Sequence, residues 1–227
     1  MNYVVSKSTS TPIAKILLNK GERIRIERGS MIYHSQHIEL EGKTNGGLMK
    51  SIAKSVVANE SMFITTATSN SDGSEIGVAP GKIGSIVNLK CGEKQYTLND
   101  GAFLACDSSI DLKMERQKKL STALLGGTGG FFNMKTSGTG DLLINGFGEI
   151  ISYEVSESNP LIFDNGHVVA WDSTLTSSAK MASGTFGFKS GEGIVIKFTG
   201  KGTVYIQSRN LEAFGSLLSP YILTSSS

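Results

Sequence analysis

Three histidines are the chain's first candidates for metal binding or acid–base chemistry. His34 and His37 stand three residues apart in a segment with the alternation of a strand. Since successive side chains of a regular strand point to opposite faces, this pair cannot hold one metal ion. A barrel-type metal site would also need ligands two residues apart and on a later strand, and the sequence has none there. The sequence therefore predicts no metal site and no cofactor.

The third histidine, His167, follows an Asp-Asn-Gly segment at residues 164–166, which raises the question of an acid–base role. An Asn-Gly pair is typical of a tight turn in which the glycine has a positive φ. The positions that match His167 elsewhere in the chain hold Ser30 and Ala102, so the pattern does not require a histidine. We interpret this segment as a structural turn, not as part of a catalytic group.

The sequence also contains no pattern typical of nucleophilic catalysis or of phosphate binding. Cys91 and Cys106 have no histidine near them in the sequence and form no Cys-x-x-Cys motif, so we expect buried, reduced thiols. The glycines at positions 126, 127, 129 and 130 lack the Gly-Lys-Ser/Thr that completes a phosphate-binding loop. We expect that the protein is not an enzyme.

Composition and charge narrow the class of protein further. The 227 residues include 27 glycines but four prolines, which indicates many tight turns and favours β-structure. The net charge is +2 and no block of like charges occurs, which argues against a nucleic-acid-binding role. The first twelve residues lack the apolar run of a secretory signal, and no segment approaches the roughly 20 apolar residues of a membrane span. We expect a cytoplasmic protein.

One pattern of turns and apolar residues occurs three times along the chain. It centres on glycines at positions 29, 101 and 166. Apolar residues occupy the same places around each glycine, and a chance match would not keep the core face in phase. The matching sets are Ile26, Leu98 and Phe163; Met31, Phe103 and Val168; His34, Cys106 and Trp171, with Trp171 as a packing anchor; Ile38, Ile110 and Leu175; and Ile64, Met134 and Ile196.

This pattern predicts an all-β fold of three tandem units. Each unit has a short helical or loop insertion and is too small to bury both faces of its sheet alone, so the three should pack in a pseudo-threefold arrangement around a shared interior. The predicted units are residues 1–82, 83–148 and 149–210, and residues 211–227 form a C-terminal cap and a flexible tail. Together they make one compact body.

The insertions carry the most unusual apolar residues, which we call the insertion tips. They either cover an open end of the units or form a contact surface for a protein partner, a second copy or an anionic bilayer, which neighbouring lysines could contact. The insertion tips are Leu48, Met49, Ile52, Val56, Leu120, Leu124, Leu125, Met181, Phe186 and Phe188.

Several motifs in order resemble the widespread family that includes the mitochondrial biogenesis proteins named for altered inheritance of mitochondria. They lie at residues 46–51, 60–63, 98–105, 164–170 and 198–200, and the resemblance runs from about Ser6 to Asn210. It implies three units that each resemble the subunit of the tryptophan RNA-binding attenuation protein, which is a β-sandwich or short double-stranded β-helix. It implies no activity, and the mitochondrial members suggest an organising role at the inner membrane. Since no transit peptide precedes residue 12, the chain resembles a bacterial member.

The leading hypothesis is a non-enzymatic scaffold or interaction protein that self-associates, or docks on a partner or a membrane surface, through the insertion tips. The alternative is a small-ligand or RNA-binding module like the attenuation protein. The near-neutral charge weakens the RNA version of that alternative, because counterion release would contribute little to binding.

Overall fold

A computed structural model of the chain describes residues 1–8, 10–44, 63–116, 132–181 and 193–222. The first part of the described chain is a series of short antiparallel strands. These strands are β1 (Asn2–Val5), β2 (Ala14–Leu18), β3 (Arg23–Glu27), β4 (Met31–His34), β5 (Ile38–Thr44), β6 (Phe63–Ser69) and β7 (Ser74–Val78).

The rest of the described chain contains twelve further short strands and one short α-helix. The next six strands are β8 (Gly84–Cys91), β9 (Tyr96–Leu98), β10 (Phe103–Asp107), β11 (Ile110–Arg116), β12 (Phe132–Gly138) and β13 (Gly140–Phe147). They are followed by β14 (Ile150–Val155), β15 (Leu161–Asp164), β16 (Val168–Asp172), β17 (Thr176–Met181), β18 (Ile194–Thr199), β19 (Gly202–Gln207) and α1 (Leu211–Leu218).

The strands form four sheets. The first has the order β1-β2-β7-β4, the second β5-β6-β3-β10-β13-β8, the third β11-β12-β9-β16-β19-β14, and the fourth β15-β18-β17. Strands β2–β7, β8–β13 and β14–β19 are called the first, second and third strand sets below. Each set contributes three strands to one sheet and three to the next, so the second and third sheets each join two sets.

The three sets pair their strands in the same register. Met31 opposes Val78, Phe103 opposes Ile144 and Val168 opposes Ile206, and a register shift of one residue follows at each place. Such a bulge bends a strand and increases its twist, so its recurrence gives the three sets the same local shape. This recurrence concerns strand pairing, and the division of the chain at residues 82, 148 and 210 stays a prediction.

In the part of the chain that the structure describes, the hydrophobic core consists of three clusters between successive sheets. The cluster of the first set contains Ile16, Ile24 and Ile76 together with Leu104 and Leu143 of the second set. The largest cluster in the described residues surrounds Phe103 and Leu98 and includes Val169 and Ala170 of the third set. The remaining cluster lies around Trp171 and Phe198. Trp171 is therefore a packing anchor, as predicted, and both cysteines are buried and free.

Burial on one or on both faces separates the outer from the inner sheets. In β2, buried residues alternate with exposed ones, which is the pattern of a sheet with one solvated face. In β16 all five residues are buried, because the third sheet packs against core clusters on both sides. The central strands β10 and β16 are therefore almost continuous apolar runs.

One predicted match was wrong by one residue. Ile26 opposes Thr65, whereas Leu98 opposes Met134 and Phe163 opposes Ile196, so Thr65 and not Ile64 takes the Met134 position. Ile64 is buried in the cluster on the opposite face of the second sheet. Since that sheet is covered on both faces, hydrophobicity alone does not fix the register there.

The turn before His167 also differs from the prediction. Gly29 and Gly101 have the expected positive φ values of 83° and 67°. Gly166 lies instead in a short 3-10 turn, Asn165–His167. A Cβ at Gly166 would lie 2.2 Å from the side-chain nitrogen of Asn210, so the close approach of that amide, not backbone φ, requires the glycine.

A polar contact also recurs at matching residues of the three sets. These residues are Ser35, Asp107 and Asp172. Ser35 Oγ accepts from the backbone N–H of Glu75 at 2.9 Å, and Asp172 Oδ2 accepts from that of Thr203 at 3.0 Å. Asp107 Oδ2 makes the equivalent bond in the second set. Each bond satisfies an N–H at the start of β7, β13 or β19, which would otherwise be costly in a sheet this buried.

Near the junction of the first two sets lies a partly buried acid–base pair. Burial raises the pKa of Glu27 to about 7, although the nearby ammonium of Lys82 opposes this shift. Burial also lowers the pKa of Lys82, whose Nζ donates to the carbonyl oxygen of Gly101 at 2.8 Å. The carboxylate of Glu27 is therefore poorly solvated when it is ionised.

We expect Asp172→Ala to lower the free energy of unfolding by about 2–3 kcal/mol, because the charge-assisted bonds from Lys94 and the backbone of Thr203 are lost in a buried place. Asp111→Ala is the control, since Asp111 is 82% exposed and bridges Arg25 at 3.5 Å on the surface. Urea unfolding measures both. Equal losses in the two variants would contradict the structural role of Asp172.

Glu27 should make the protein less stable as pH rises. The pKa of Glu27 is about 7 in the folded chain and near 4.5 in the unfolded chain, so the folded form binds more protons between these values. The free energy of unfolding should fall by up to about 3 kcal/mol across this range, an upper bound for a partly solvated group. Glu27→Gln should raise the melting temperature near pH 8 and leave it unchanged near pH 4.5.

Calorimetry at both pH values measures this effect, and Glu39→Gln, at an exposed position of β5, is the matched control. If Glu27→Gln raises the melting temperature by the same amount at both pH values, the ionisation of Glu27 is not the cause of the increase.

Candidate interaction surface at two open strand edges

Eight of the described strands end a sheet, and two of them, β4 and β15, do so although the matching strands of the other sets lie inside a sheet. In the described residues, β4 is the last strand of the first sheet and β15 is the first strand of the fourth. Their counterparts do not end a sheet, because β3 pairs with β10 and β9 pairs with β16. The pairing that joins successive strand sets is therefore absent at these two edges. We call them the β4 edge and the β15 edge.

The β4 edge exposes apolar side chains that its counterparts bury. All four residues of β4 are exposed. Ile32 is 51% exposed, whereas the residues at the same place in the other two bulges, Leu104 and Val169, are 0% and 2% exposed. Tyr33 is likewise exposed, at 37%. An apolar strand that is buried in two of three equivalent positions is thus open to solvent in the third.

A small polar cluster fixes the orientation of Tyr33 on this edge. Its ring lies over the backbone of Gly77, where a Cβ would be 2.2 Å from a ring carbon. The Tyr33 hydroxyl donates to Glu75, whose Oε1 also lies 3.6 Å from Lys15 Nζ. The hydrogen bond from Tyr33 lowers the pKa of Glu75, and the same bond raises the pKa of Tyr33. The aromatic ring is therefore held in place, with one face towards solvent.

The β15 edge has a similar mixture of a fixed aromatic ring and an exposed aliphatic side chain. Phe163 packs between Tyr153 and Phe198, with ring centroids 5.5 Å and 6.1 Å apart. Ile162, which points to the other face of the strand, is 60% exposed. Pro160 comes directly before the strand, in a place that suits an edge.

In the described residues, neither β4 nor β15 contains a lysine that would hinder strand addition. Free edges in native proteins are commonly blocked by lysines, by inward-pointing charges or by a covering loop. The residues of β4 are Met31, Ile32, Tyr33 and His34, and those of β15 are Leu, Ile, Phe and a final Asp. Short length and the bulge in β4 are the features that limit further pairing.

The C-terminal segment presents a third exposed apolar surface, which is not a strand edge. Every residue of α1 is exposed, and Phe214 contacts Phe147 edge-on at 5.3 Å between ring centroids. Asn210 caps the helix by accepting from the backbone N–H groups of Glu212 and Ala213. This is the segment for which the sequence predicted a C-terminal cap.

The insertion tips cannot be compared with these edges. Leu48, Met49, Ile52, Val56, Leu120, Leu124, Leu125, Phe186 and Phe188 lie outside the described residues, and Met181 is described only as the last residue of β17. Sequence reasoning did not identify the β4 and β15 edges. The available signal was the apolar match of Ile32 with Leu104 and Val169, but a sequence does not show which of three matching strands lacks a neighbour.

The candidate chemical groups lie apart from one another. His34 Nδ1 is 2.8 Å from the carbonyl oxygen of Ser35, and His167 Nδ1 is 2.7 Å from that of Gln207. Across the described ranges, no three His, Cys, Asp or Glu side chains form a group that could hold a metal ion. An open cleft of about 660 Å³ between the start of the chain and β8 is lined mainly by serine, glycine and aliphatic residues, with the carboxylate of Glu149.

None of the helices in the described part of the chain has the length and apolar character needed to cross a membrane.

Comparison with known proteins gives a consistent result. An uncharacterized protein of Streptococcus pyogenes serotype M6 is 44% identical over 233 residues, which cover 100% of this chain and 93% of that protein. A crystal structure of a protein from Streptococcus pyogenes has a TM-score of 0.83 at 41% identity and covers 97% of this chain and 99% of that one. The all-β prediction and the resemblance to a bacterial-type member are confirmed. Since the family model described as "Mitochondrial biogenesis AIM24" also matches residues 3–209, the chain belongs to that family.

Proposed function

We propose that the protein is a non-enzymatic scaffold that binds polypeptide partners through the β4 edge and the β15 edge. The exposure of Ile32, at a position that is buried in both other strand sets, carries this proposal. Strand addition suits such an edge, since main-chain hydrogen bonds supply affinity and adjacent apolar side chains supply specificity.

The chemistry of the described residues supports a binding role more than a catalytic one. Burial raises the pKa of the Cys91 and Cys106 thiols, so neither is a ready nucleophile. The rings of His34 and His167 each contact a backbone carbonyl and are not within a shared cluster. A catalytic group would need an acid, a base or a nucleophile close together.

A cytoplasmic location, contact with a membrane surface through the insertion tips, and the alternative of a small-ligand or RNA-binding module all stay predictions. A scaffold role fits the mixed surface charge, because the 22 basic and 20 acidic residues give the chain no strong preference for a polyanion.

Photo-crosslinking in living cells tests the proposal. A small diazirine residue introduced at Ile32 or at Ile162 should give covalent adducts with polypeptides, because both positions lie next to an open strand edge. The matched control is Ile83, which is 58% exposed but follows β7 outside any strand. Gel mobility and mass spectrometry measure the adducts. If neither edge gives more polypeptide adduct than Ile83, the scaffold role through these edges is wrong.

A further inference from the structure

We propose that the two edges bind each other, so that β15 of one copy pairs with β4 of the next copy in a head-to-tail assembly. This inference rests on the proposed function and names its partner as a second copy of this chain. It follows from how the strand sets complete one another's cores within one chain.

Each of the first two core clusters is completed by side chains of the following strand set. Leu104, Ala105 and Leu143 of the second set lie in the cluster of the first set. Val169 and Ala170 of the third set lie in the cluster of the second, with Ile150 and Tyr205 packed against it. In each inner sheet, the strands of the later set therefore use one face in the core of their own set. They use the other face in the core of the set before.

The third cluster has no such contribution in the described residues. It contains Val155, Val168, Trp171, Leu175, Ile196, Phe198 and Val204, all from the third set. The residues that match Leu104, Ala105 and Leu143 in the first set are Ile32, Tyr33 and Gly77, as the bulged registers show. Ile32 and Tyr33 are exposed on the outer side of the first sheet. The third cluster therefore lacks the contribution that Leu104 and Ala105 make to the first cluster, and the matching side chains, Ile32 and Tyr33, are exposed on the first sheet.

The two junctions inside the chain give the register of the proposed contact. Ala105 opposes Ile26 at the first junction, and Ala170 opposes Leu98 at the second. Tyr33 takes the place of these alanines, and Phe163 takes the place of Ile26 and Leu98. Tyr33 of one copy therefore opposes Phe163 of the other, and the neighbouring pairs are His34 with Ile162 and Ser35 with Leu161.

The backbone of β4 is ready for this pairing. The N–H of Ser35 donates to Glu75 on β7, so the N–H and C=O groups of the residues on either side of it point to the open edge. At the second junction the equivalent groups are used, since Ser173 donates to Gln95 and Asn99 donates to Val169. In the assembly Gln36 takes the role of Ser173, and the carbonyl oxygen of Pro160 takes that of Gln95.

The contact joins two different surfaces, which makes it heterologous. A heterologous contact produces a closed ring when its rotation closes and a filament when it does not. Assembly would join the three strands of the fourth sheet to the four of the first, and the resulting seven-stranded sheet continues the pattern of the two inner sheets.

Complementation between two blocked variants tests this inference. Ile32→Lys places a charge where Leu104 and Val169 are buried, and Ile162→Pro removes a backbone N–H that faces the β15 edge. Each purified variant should be a monomer by sedimentation velocity, whereas the unchanged chain forms larger species. An equimolar mixture of the two variants should form a dimer, because each supplies the edge that the other lacks.

The controls are Ile83→Lys, a charge at an exposed site away from both edges, and Ile162→Ala, which keeps the backbone N–H. Both should assemble like the unchanged chain. A monomeric unchanged chain would overturn the inference, and so would a mixture of the two blocked variants that stays monomeric. An assembly that persists when only the β15 edge is blocked would show pairing between identical edges and would also overturn it.

Disulfide trapping tests the register without blocking either edge. Ser35→Cys in one chain and Leu161→Cys in another should form a mixed disulfide under mild oxidation, since opposed residues in a non-hydrogen-bonded pair have Cα atoms about 4.5 Å apart. Ser35→Cys mixed with Asp164→Cys is the control, because three residues of offset move the Cα atoms about 10 Å along the strand. Equal yields in the two mixtures would overturn the proposed register.

These results separate the inference from the proposed function. Adducts at Ile32 and Ile162 that contain only other proteins, together with a monomeric unchanged chain, would leave the scaffold role in place and remove self-assembly. Absence of any polypeptide adduct at either edge would remove both.

Discussion

Antiparallel pairing between consecutive strand sets is the constraint on which the rest of the structure depends. Where β3 meets β10 and where β9 meets β16, a continuous sheet passes from one set to the next. That continuity places the bulged strand of each later set over the core of the set before it. The central strands β10 and β16 therefore have no solvated face, and they can be almost entirely apolar.

The same constraint explains why the chain has two dissimilar ends. A series of sets that each need a following neighbour must stop somewhere, and it stops with an uncovered strand at one end and an incomplete cluster at the other. β4 has the bulge of β10 and β16 without their burial, and β15 has Phe163 at the place of Ile26 and Leu98 without the partner strand that those residues have. The two surfaces are complementary because they are the two halves of a junction that occurs twice inside the chain.

Much of the architecture could be predicted from residue patterns, and the interaction surface could not. The excess of glycine over proline indicated β-structure, and the matched apolar positions indicated three related sets. The predicted match of Ile64 with Met134 was wrong by one residue, because both faces of the second sheet accept apolar side chains at this place. The prediction of a positive φ at Gly166 was wrong, because the glycine is required there by a distant residue, Asn210, which no local pattern reveals. The open edges were missed for a similar reason: whether Ile32 is covered depends on which strand lies beside it, a property of the whole topology.

The unequal core clusters imply that stability is not uniform along the chain. Among the described residues, the middle cluster has contributions from three strand sets, whereas the third cluster is built by one. In stacked units with nearest-neighbour contacts, the unit with fewest neighbours opens first, and the opening spreads inward. Amide protons of β9, β10 and β16 should thus exchange at the rate of global unfolding, and those of β15, β17 and β18 should exchange through an earlier, partial opening. The native state of a single chain would then include a minor population in which the last sheet is detached while the two inner sheets remain folded.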